Sequence, residues 1–200
     1  MGSFIKNVLC LTVITLVAGF GLGYVYDITK EPIAQMEEKT KLDAFRAVFT
    51  EADTFSDAGD TSSSEGILAS AGITGVDIDS AVKALDTSGN MLGYVINVTT
   101  HEGYGGDITI SMGIDNEGTV KGIEILGISE TAGLGMKAKE ARFKDQFKDK
   151  KVTQFSYTKT GAASDFEIDA LSGATITTKA VVNAVNAGLA YFDSMGGGAK

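Results

Sequence analysis

The chain has 200 residues, 44% hydrophobic and 8% aromatic, with 25 glycines, one proline and a formal net charge of −9. An acidic chain with no basic run is a poor nucleic-acid binder. One cysteine excludes an intrachain disulfide, and one histidine with no cysteine cluster argues against a conventional zinc or iron–sulfur site.

The first strong signal is Val8 to Tyr26, 19 residues without a charge, close to the ~20 residues that span a bilayer. Lys6 and the α-amino group precede it and Asp27 follows. That small bias points the N-terminus to the cytoplasm and the rest of the chain outside. A cleaved signal peptide has a shorter apolar core and a small-x-small cleavage site, which Gly21-Leu22-Gly23 matches poorly, so a retained single-pass anchor is expected. Tyr24 and Tyr26 sit where interfacial aromatics gather. Gly19, Gly21 and Gly23 either admit a second membrane helix closely or have no special partner. Cys10 reads as an inert thiol in an apolar run.

The expected organisation is an anchor over 1–27, a connecting helix and flexible loop over 28–80, a domain over 81–194 and a flexible tail over 195–200, where Gly196 to Gly198 fray the end. Thr29 to Phe49 reads as a helix, capped by Thr29 with Pro32 in its first turn. Its broken apolar stripe is Ile33, Met36, Leu42, Phe45, Val48 and Phe49. Thr54 to Gly66 reads as a polar loop. From Ala81 the hydrophobic period becomes two. Val82–Leu85 and Leu92–Thr99 flank a turn at Thr87–Asn90, with Tyr94, Ile96 and Val98 on one side. Ile108, Ile110, Met112 and Ile114 then alternate with Asp107, Thr109, Ser111 and Gly113, and Val120 to Ile128 returns. This predicts an antiparallel meander with one buried face. A short basic helix over Met136–Phe147 follows, with Ala138, Ala141 and Phe147 inward, and then a strand near Phe166–Ile168. The last helix, Lys179–Phe192, buries Ala180, Val181, Ala184, Val185, Gly188, Leu189 and Phe192, and turns Lys179, Asn183 and Asn186 outward. The predicted class is α+β: an N-terminal transmembrane helix, then an antiparallel sheet flanked by helices.

Three candidate chemistries are weak. Gly133-x-Gly135-x-x-Ala138 fits a dinucleotide fingerprint, but the strands before it are antiparallel and no βαβ unit follows. His101 shows no partner carboxylate or nucleophile by spacing and reads as an exposed turn histidine. Ser172 lacks the G-x-S-x-G elbow and a general base.

The stretch Asp169-Ala-Leu-Ser172-Gly173-Ala174-Thr175-Ile-Thr177-Thr178 is different. It sets hydroxyls and a glycine between a strand and a helix. On residue chemistry alone it reads as a helix cap through Thr177 or Thr178; the alternative is an anion site at a helix start.

Asp169-x-x-Ser172-Gly173-Ala174-Thr175 resembles the flavinylation motif of the FMN-binding domain family. Glu130-Thr131-Ala132-Gly133-Leu134-Gly135 resembles that family's E-T-P-G-L-G segment, with alanine in place of proline, which loosens the loop. Tyr104-Gly-Gly106 and Gly113-Ile-Asp115 match its pattern too. With the anchor, the whole chain is similar to G-type subunits of Rnf electron-transport complexes; the related C-type subunits of sodium-pumping NADH:quinone oxidoreductases are usually longer.

The resemblance implies covalent FMN, esterified through its phosphate to Thr175 by a separate flavin transferase. Ser172, Gly173 and Ala174 would surround the ester, and Asp169 would help the transferase recognise the site. Thr131 would hydrogen-bond the flavin, with Leu134 on its face and Glu130 and Gly135 in the same loop. Lys137 would stabilise the reduced, anionic ring. Electron relay beside other membrane subunits of an Rnf-type complex, between ferredoxin and NAD⁺ with Na⁺ or H⁺ crossing the membrane, is the implied role. A flavin-free anchored binding or assembly domain is the alternative.

Overall fold

A computed structural model describes residues 1–196. The chain divides into two compact units, Met1–Thr40 and Lys41–Lys200. The fold is α+β: a long apolar N-terminal helix, then a five-stranded antiparallel sheet with helices.

Helix α1 spans Gly2–Val48 without interruption. The expected start at Thr29 does not occur. Thr29 Oγ1 donates to the carbonyls of Val25 and Tyr26 at 2.9 and 3.3 Å, a bond made inside a helix and not at a cap. Pro32 is also interior. It removes one backbone bond, but Glu31, Ala34, Gln35, Met36, Glu37 and Glu38 around it are good helix formers and carry the helix through. The apolar N-terminal part of α1 is long enough to cross a membrane and is not buried against protein. Ile33, Met36 and Leu42 of the expected stripe are exposed.

The sheet runs in the order β1-β2-β3-β4-β5, with β1 Thr54–Asp57, β2 Val76–Leu85, β3 Met91–Thr100, β4 Ile108–Asp115 and β5 Val120–Ile128. Thr54–Gly66, expected as loop, contains β1 and the first residues of α2 (Ser64–Ser70). Phe55 is the physical reason for the strand: it packs on Phe45 at a centroid distance of 5.3 Å, and β1 pairs with β2 from Thr54↔Leu85 to Asp57↔Val82.

One face of the sheet carries Ile96, Val98, Ile110, Met112 and Ile114, all with no exposed surface. They pack in the main core with helix α4 (Thr175–Ser194). The other face is not simply solvated, as the alternation implied. Phe45, Val48 and Phe49 cover it with Ala84 and Val95, so Ser111 and Gly113 are buried too. A Cβ on Gly113 would lie 2.8 Å from the Val48 carbonyl oxygen, and one on Gly93 would lie 2.2 Å from that of Ile114. Glycine at both positions is the condition for this close approach.

Beyond β5 the expected single helix is three short pieces: a 3₁₀ turn Gly135–Lys139, helix α3 Ala141–Lys144 and a 3₁₀ turn Asp145–Phe147. Ala138 and Phe147 point inward, but Ala141 is exposed and Phe143 takes its place in the core. Phe143, Phe147 and Phe155 stack edge to face in series, with centroids 5.8 and 5.1 Å apart. A two-stranded parallel sheet follows, β6 Ser156–Thr158 with β7 Glu167–Asp169.

Helix α4 starts four residues before the expected Lys179. All seven residues expected inward are buried, while Asn186, expected outward, is buried too. The Asn186 amide accepts from Phe155 N–H at 2.7 Å and donates to Phe155 O at 2.9 Å. The expected frayed tail begins at the limit of the described residues; 197–200 lie outside them.

Candidate functional site

Thr175 is the first residue of α4, half-buried, and reached through Ser172 and Gly173, both exposed, and Ala174, buried. Gly173 makes the elbow: its φ of +77° is left-handed, and a Cβ there would stand 3.0 Å from Leu134 Cδ2. Neither Thr177 nor Thr178 caps the helix. The N-cap position is Ala174, with no side-chain cap bond. Thr178 instead braces the elbow from within the first turn. Its Oγ1 donates to Ala174 O at 2.9 Å and accepts from Leu171 N–H at 3.0 Å.

Among the described residues, the N–H groups of Thr175, Ile176 and Thr177 therefore meet no backbone or side-chain acceptor, and the Thr175 hydroxyl meets no partner. A 20-residue helix thus presents its positive end, with open donors, beside a threonine hydroxyl. This arrangement suits an anion covalently or non-covalently held there.

The Glu130–Gly135 loop packs against this start. A Cβ on Gly135 would fall 2.6 Å from Thr177 Oγ1 and 2.7 Å from Glu130 Oε2, so only glycine lets the loop approach. Glu130 is buried, and its Oε1 accepts from Tyr104 N–H at 2.7 Å and Gly105 N–H at 3.3 Å. The carboxylate joins two loops beside the elbow. Thr131 is exposed; its carbonyl accepts from Leu134 and Met136 N–H. Leu134 remains 42% exposed above Gly173, and Tyr104 and Ile176 are also exposed apolar side chains.

Sequence reading misses the residues that set the elbow's position. Gln146 takes Asp169 at both ends of its peptide unit, Oε1 accepting its N–H at 2.6 Å and Nε2 donating to its O at 3.4 Å. The Asp169 carboxylate accepts from Ala162 N–H and ties the preceding loop. No spacing rule relates positions 146 and 169, so only the fold brings them together. A cavity of about 340 Å³ opens beside the elbow, lined by Lys137, Arg142, Phe143, Asp169, Leu171 and Ser172 among others. Arg142 carries no motif signal.

His101 is not a bare turn histidine. Nδ1 meets Asp107 Oδ1 at 2.8 Å and Nε2 meets Asp77 Oδ2 at 3.0 Å. The hydrogen bonds to Asp77 and then Asp107 raise its pKa to about 9. Asp77 lies on β2, 24 residues away, beyond the reach of a spacing argument.

The site stands in a family context. The FMN-binding domain profile matches residues 103–190, a span holding both the Glu130 loop and the elbow. The G subunit of the ion-translocating oxidoreductase complex of Methanosarcina acetivorans is 28% identical, covering 96% of each chain. The G subunit of the Na⁺-translocating ferredoxin:NAD⁺ oxidoreductase complex of Acetobacterium woodii is 31% identical over 94% of this chain and 90% of its own. A crystal structure of NqrC from Shewanella oneidensis aligns over 57% of each chain, with a TM-score of 0.49 and 22% identity. The chain belongs to the family of G subunits of ion-translocating oxidoreductase (Rnf) complexes.

Proposed function

We propose that this protein is a membrane-anchored electron-transfer subunit that carries FMN through a phosphoester on Thr175, within an ion-translocating ferredoxin:NAD⁺ oxidoreductase complex. The observation that carries this reading is the hydroxyl of Thr175 at the open N-terminus of α4, with three N–H groups free for an anion. The match to the FMN-binding domain supports a flavin phosphate as that anion.

The flavin, once bound, supplies the redox chemistry, and the protein supplies position and electrostatics. Thr175 Oγ1 is an anchor. It would hold the flavin through a phosphoester made by a separate flavin transferase. The free N–H groups of Thr175, Ile176 and Thr177 would serve the phosphate oxygens. Gly173 keeps the backbone out of the way, and Gln146 fixes the strand end from which the elbow departs. Leu134 offers an apolar face to the ring and Thr131 a hydrogen bond. Lys137, in the cavity beside Ser172, supplies positive charge for a reduced, anionic ring. Glu130 acts through the loops it joins.

Residues 1–27 anchor the chain as a single pass, with the N-terminus cytoplasmic and the flavin domain outside. A covalent bond suits that side, where no flavin pool refills a leaky site. The partners are the other membrane subunits of the complex and, during maturation, a flavin transferase. The chain relays electrons and does not turn over a substrate alone.

Intact mass after co-production with a flavin transferase tests the attachment. A gain of one FMN less one water is expected, and Thr175→Val should remove it. An unmodified wild-type chain under those conditions overturns the reading.

A further inference from the structure

The limb that leads from β7 into the elbow is held bond by bond. Asp169 ends β7, and Gln146 takes both its N–H and its carbonyl, as a neighbouring strand would. On the other side β6 pairs in register, Thr158 opposite Asp169. Ala170 N–H then donates to Thr158 O at 2.8 Å, and Leu171 N–H to Thr178 Oγ1 at 3.0 Å. Ala174 N–H closes the elbow on Leu171 O at 3.0 Å. Thr175 comes next, so this limb sets where its hydroxyl stands.

The Asp169 carboxylate is engaged within the chain. Its Oδ1 accepts from Ala162 N–H. The following N–H of the same loop, that of Ala163, donates to Glu167 Oε2 at 2.8 Å. Glu167 and Asp169 are two apart on a strand and lie on one side of it. The two acids act as a pair, each holding one of two consecutive N–H groups. Asp169 thereby joins three segments: the loop before β7, strand β6, and the 3₁₀ turn that carries Gln146.

We propose that Gln146 and Asp169 form one positioning unit for Thr175, and that Asp169 acts on the elbow from inside the chain and not as a contact for the transferase. This rests on the covalent reading above. The motif resemblance assigns Asp169 to recognition; its hydrogen bonds all run to its own chain. An amide oxygen accepts from Ala162 N–H as a carboxylate does. The arrangement therefore calls for an acceptor at position 169 and not for a charge. Gln146 needs both halves of its amide, one for the Asp169 N–H and one for its carbonyl.

The test has two arms, both on the full chain in detergent. The first is amide hydrogen exchange of the unmodified chain, read by NMR. Asp169→Ala and Gln146→Met should each speed exchange at Ala170 and Leu171, whose N–H groups bond to neither side chain. Asp169→Asn, which keeps the acceptor, should leave both slow. Amides of β3 and β4 should be unchanged in all variants, which sets local release apart from unfolding. Faster exchange confined to Ala162 and Asp169 overturns the proposal, since the contacts then do not reach the elbow.

The second arm is the initial rate of flavin transfer from FAD by a flavin transferase, read by intact mass. Asp169→Ala and Gln146→Met should each lower kcat/KM roughly fivefold, the scale of one lost hydrogen bond. The double variant should be no slower than the slower single one, because both act through one strand end. Asp169→Asn should stay within about twofold of wild type at low and high salt. An Asp169→Asn chain as slow as Asp169→Ala overturns the proposal, because the transferase then reads the charge. A Gln146→Met chain modified at the wild-type rate overturns it too, as do single losses that multiply in the double variant. A wild-type chain without the adduct overturns the covalent reading together with this one. An adduct on wild type with an unchanged Asp169→Ala rate overturns this one alone.

Discussion

The two faces of the five-stranded sheet are built on opposite terms. The face under α4 is a thick apolar layer with Ile96, Val98, Ile110, Met112 and Ile114 wholly buried. The opposite face has five buried apolar residues, Phe45, Val48, Phe49, Ala84 and Val95. Beside them runs a polar band: Asn97 Nδ2 donates to Ser80 Oγ at 2.8 Å, and Thr99 Oγ1 bonds Asp79 and Thr109 at 2.7 and 2.9 Å. The difference shows where stability is spent on function. The thick face holds α4 in place, and α4 begins at Thr175. The face that carries the elbow is therefore the more apolar of the two, which holds the start of α4 in place.

The largest expected effect tests that thickness. Phe192 is 1% exposed and packs edge-on to Tyr94 at 6.0 Å. Phe192→Ala should cost about 3–5 kcal/mol in denaturant unfolding. Phe49→Ala, on the thin face, should cost about 3 kcal/mol or less, because a small cluster near the surface relaxes more easily. A larger loss at Phe49 than at Phe192 would reverse the comparison.

Glycine substitutions sharpen it further. A Cβ on Gly113 meets the backbone oxygen of Val48 at 2.8 Å, and neither main chain can yield cheaply. Gly113→Ala should cost about 1–3 kcal/mol. A Cβ on Gly188 meets Met112 Cε at 2.6 Å, the end of a flexible side chain that can swing away. Alanine in a helix also gains about 1 kcal/mol over glycine. Gly188→Ala should therefore leave the melting temperature unchanged or raise it, and equal losses at both glycines would break the distinction.

The smallest effect belongs to the polar band. Both nitrogens of His101 face carboxylates, so only the imidazolium can donate to both. Its pKa is raised to about 9, so its contribution is complete below the ordinary 6.5 and is lost as pH rises through about 9. The side chain is 46% exposed, and solvent screening keeps the contribution below about 1 kcal/mol. As the chain has one histidine, its NMR titration is read without assignment. The titration should lie above 6.5, and Asp77→Asn or Asp107→Asn should lower it. A midpoint at 6.5 in all three would show that the pairs do not form in solution.

Much of the fold is legible where one period rules one segment. The alternation from Ile108 to Ile114 and the apolar face of α4 both survive. Legibility fails where the deciding contact is remote. β1 reads as loop because its one anchor, Phe55, packs against Phe45 on α1. Asn186 reads as solvated because its polar side chain is buried by bonds to the Phe155 backbone, 31 residues away. Thr29 and Pro32 read as a helix start because local signals carry no record of the helix already running into them. At the site, the motif marks Thr175 and Leu134. Gln146 leaves no trace, since its partner is 23 residues distant.

What the sequence determined by itself is a matter of local chemistry: an uncharged run long enough for a bilayer, a two-residue period that must pleat, and a hydroxyl-rich elbow before a helix. Each needs only neighbours in the chain. Tertiary structure decided how these parts came together. It made Thr178 a brace instead of a cap, and three N–H groups of α4 at Thr175 meet no acceptor among the described residues. It pressed the Gly135 loop onto Thr177 and set Gln146 against Asp169. Such outcomes depend on contacts between distant residues, and a single sequence does not encode them as a readable pattern.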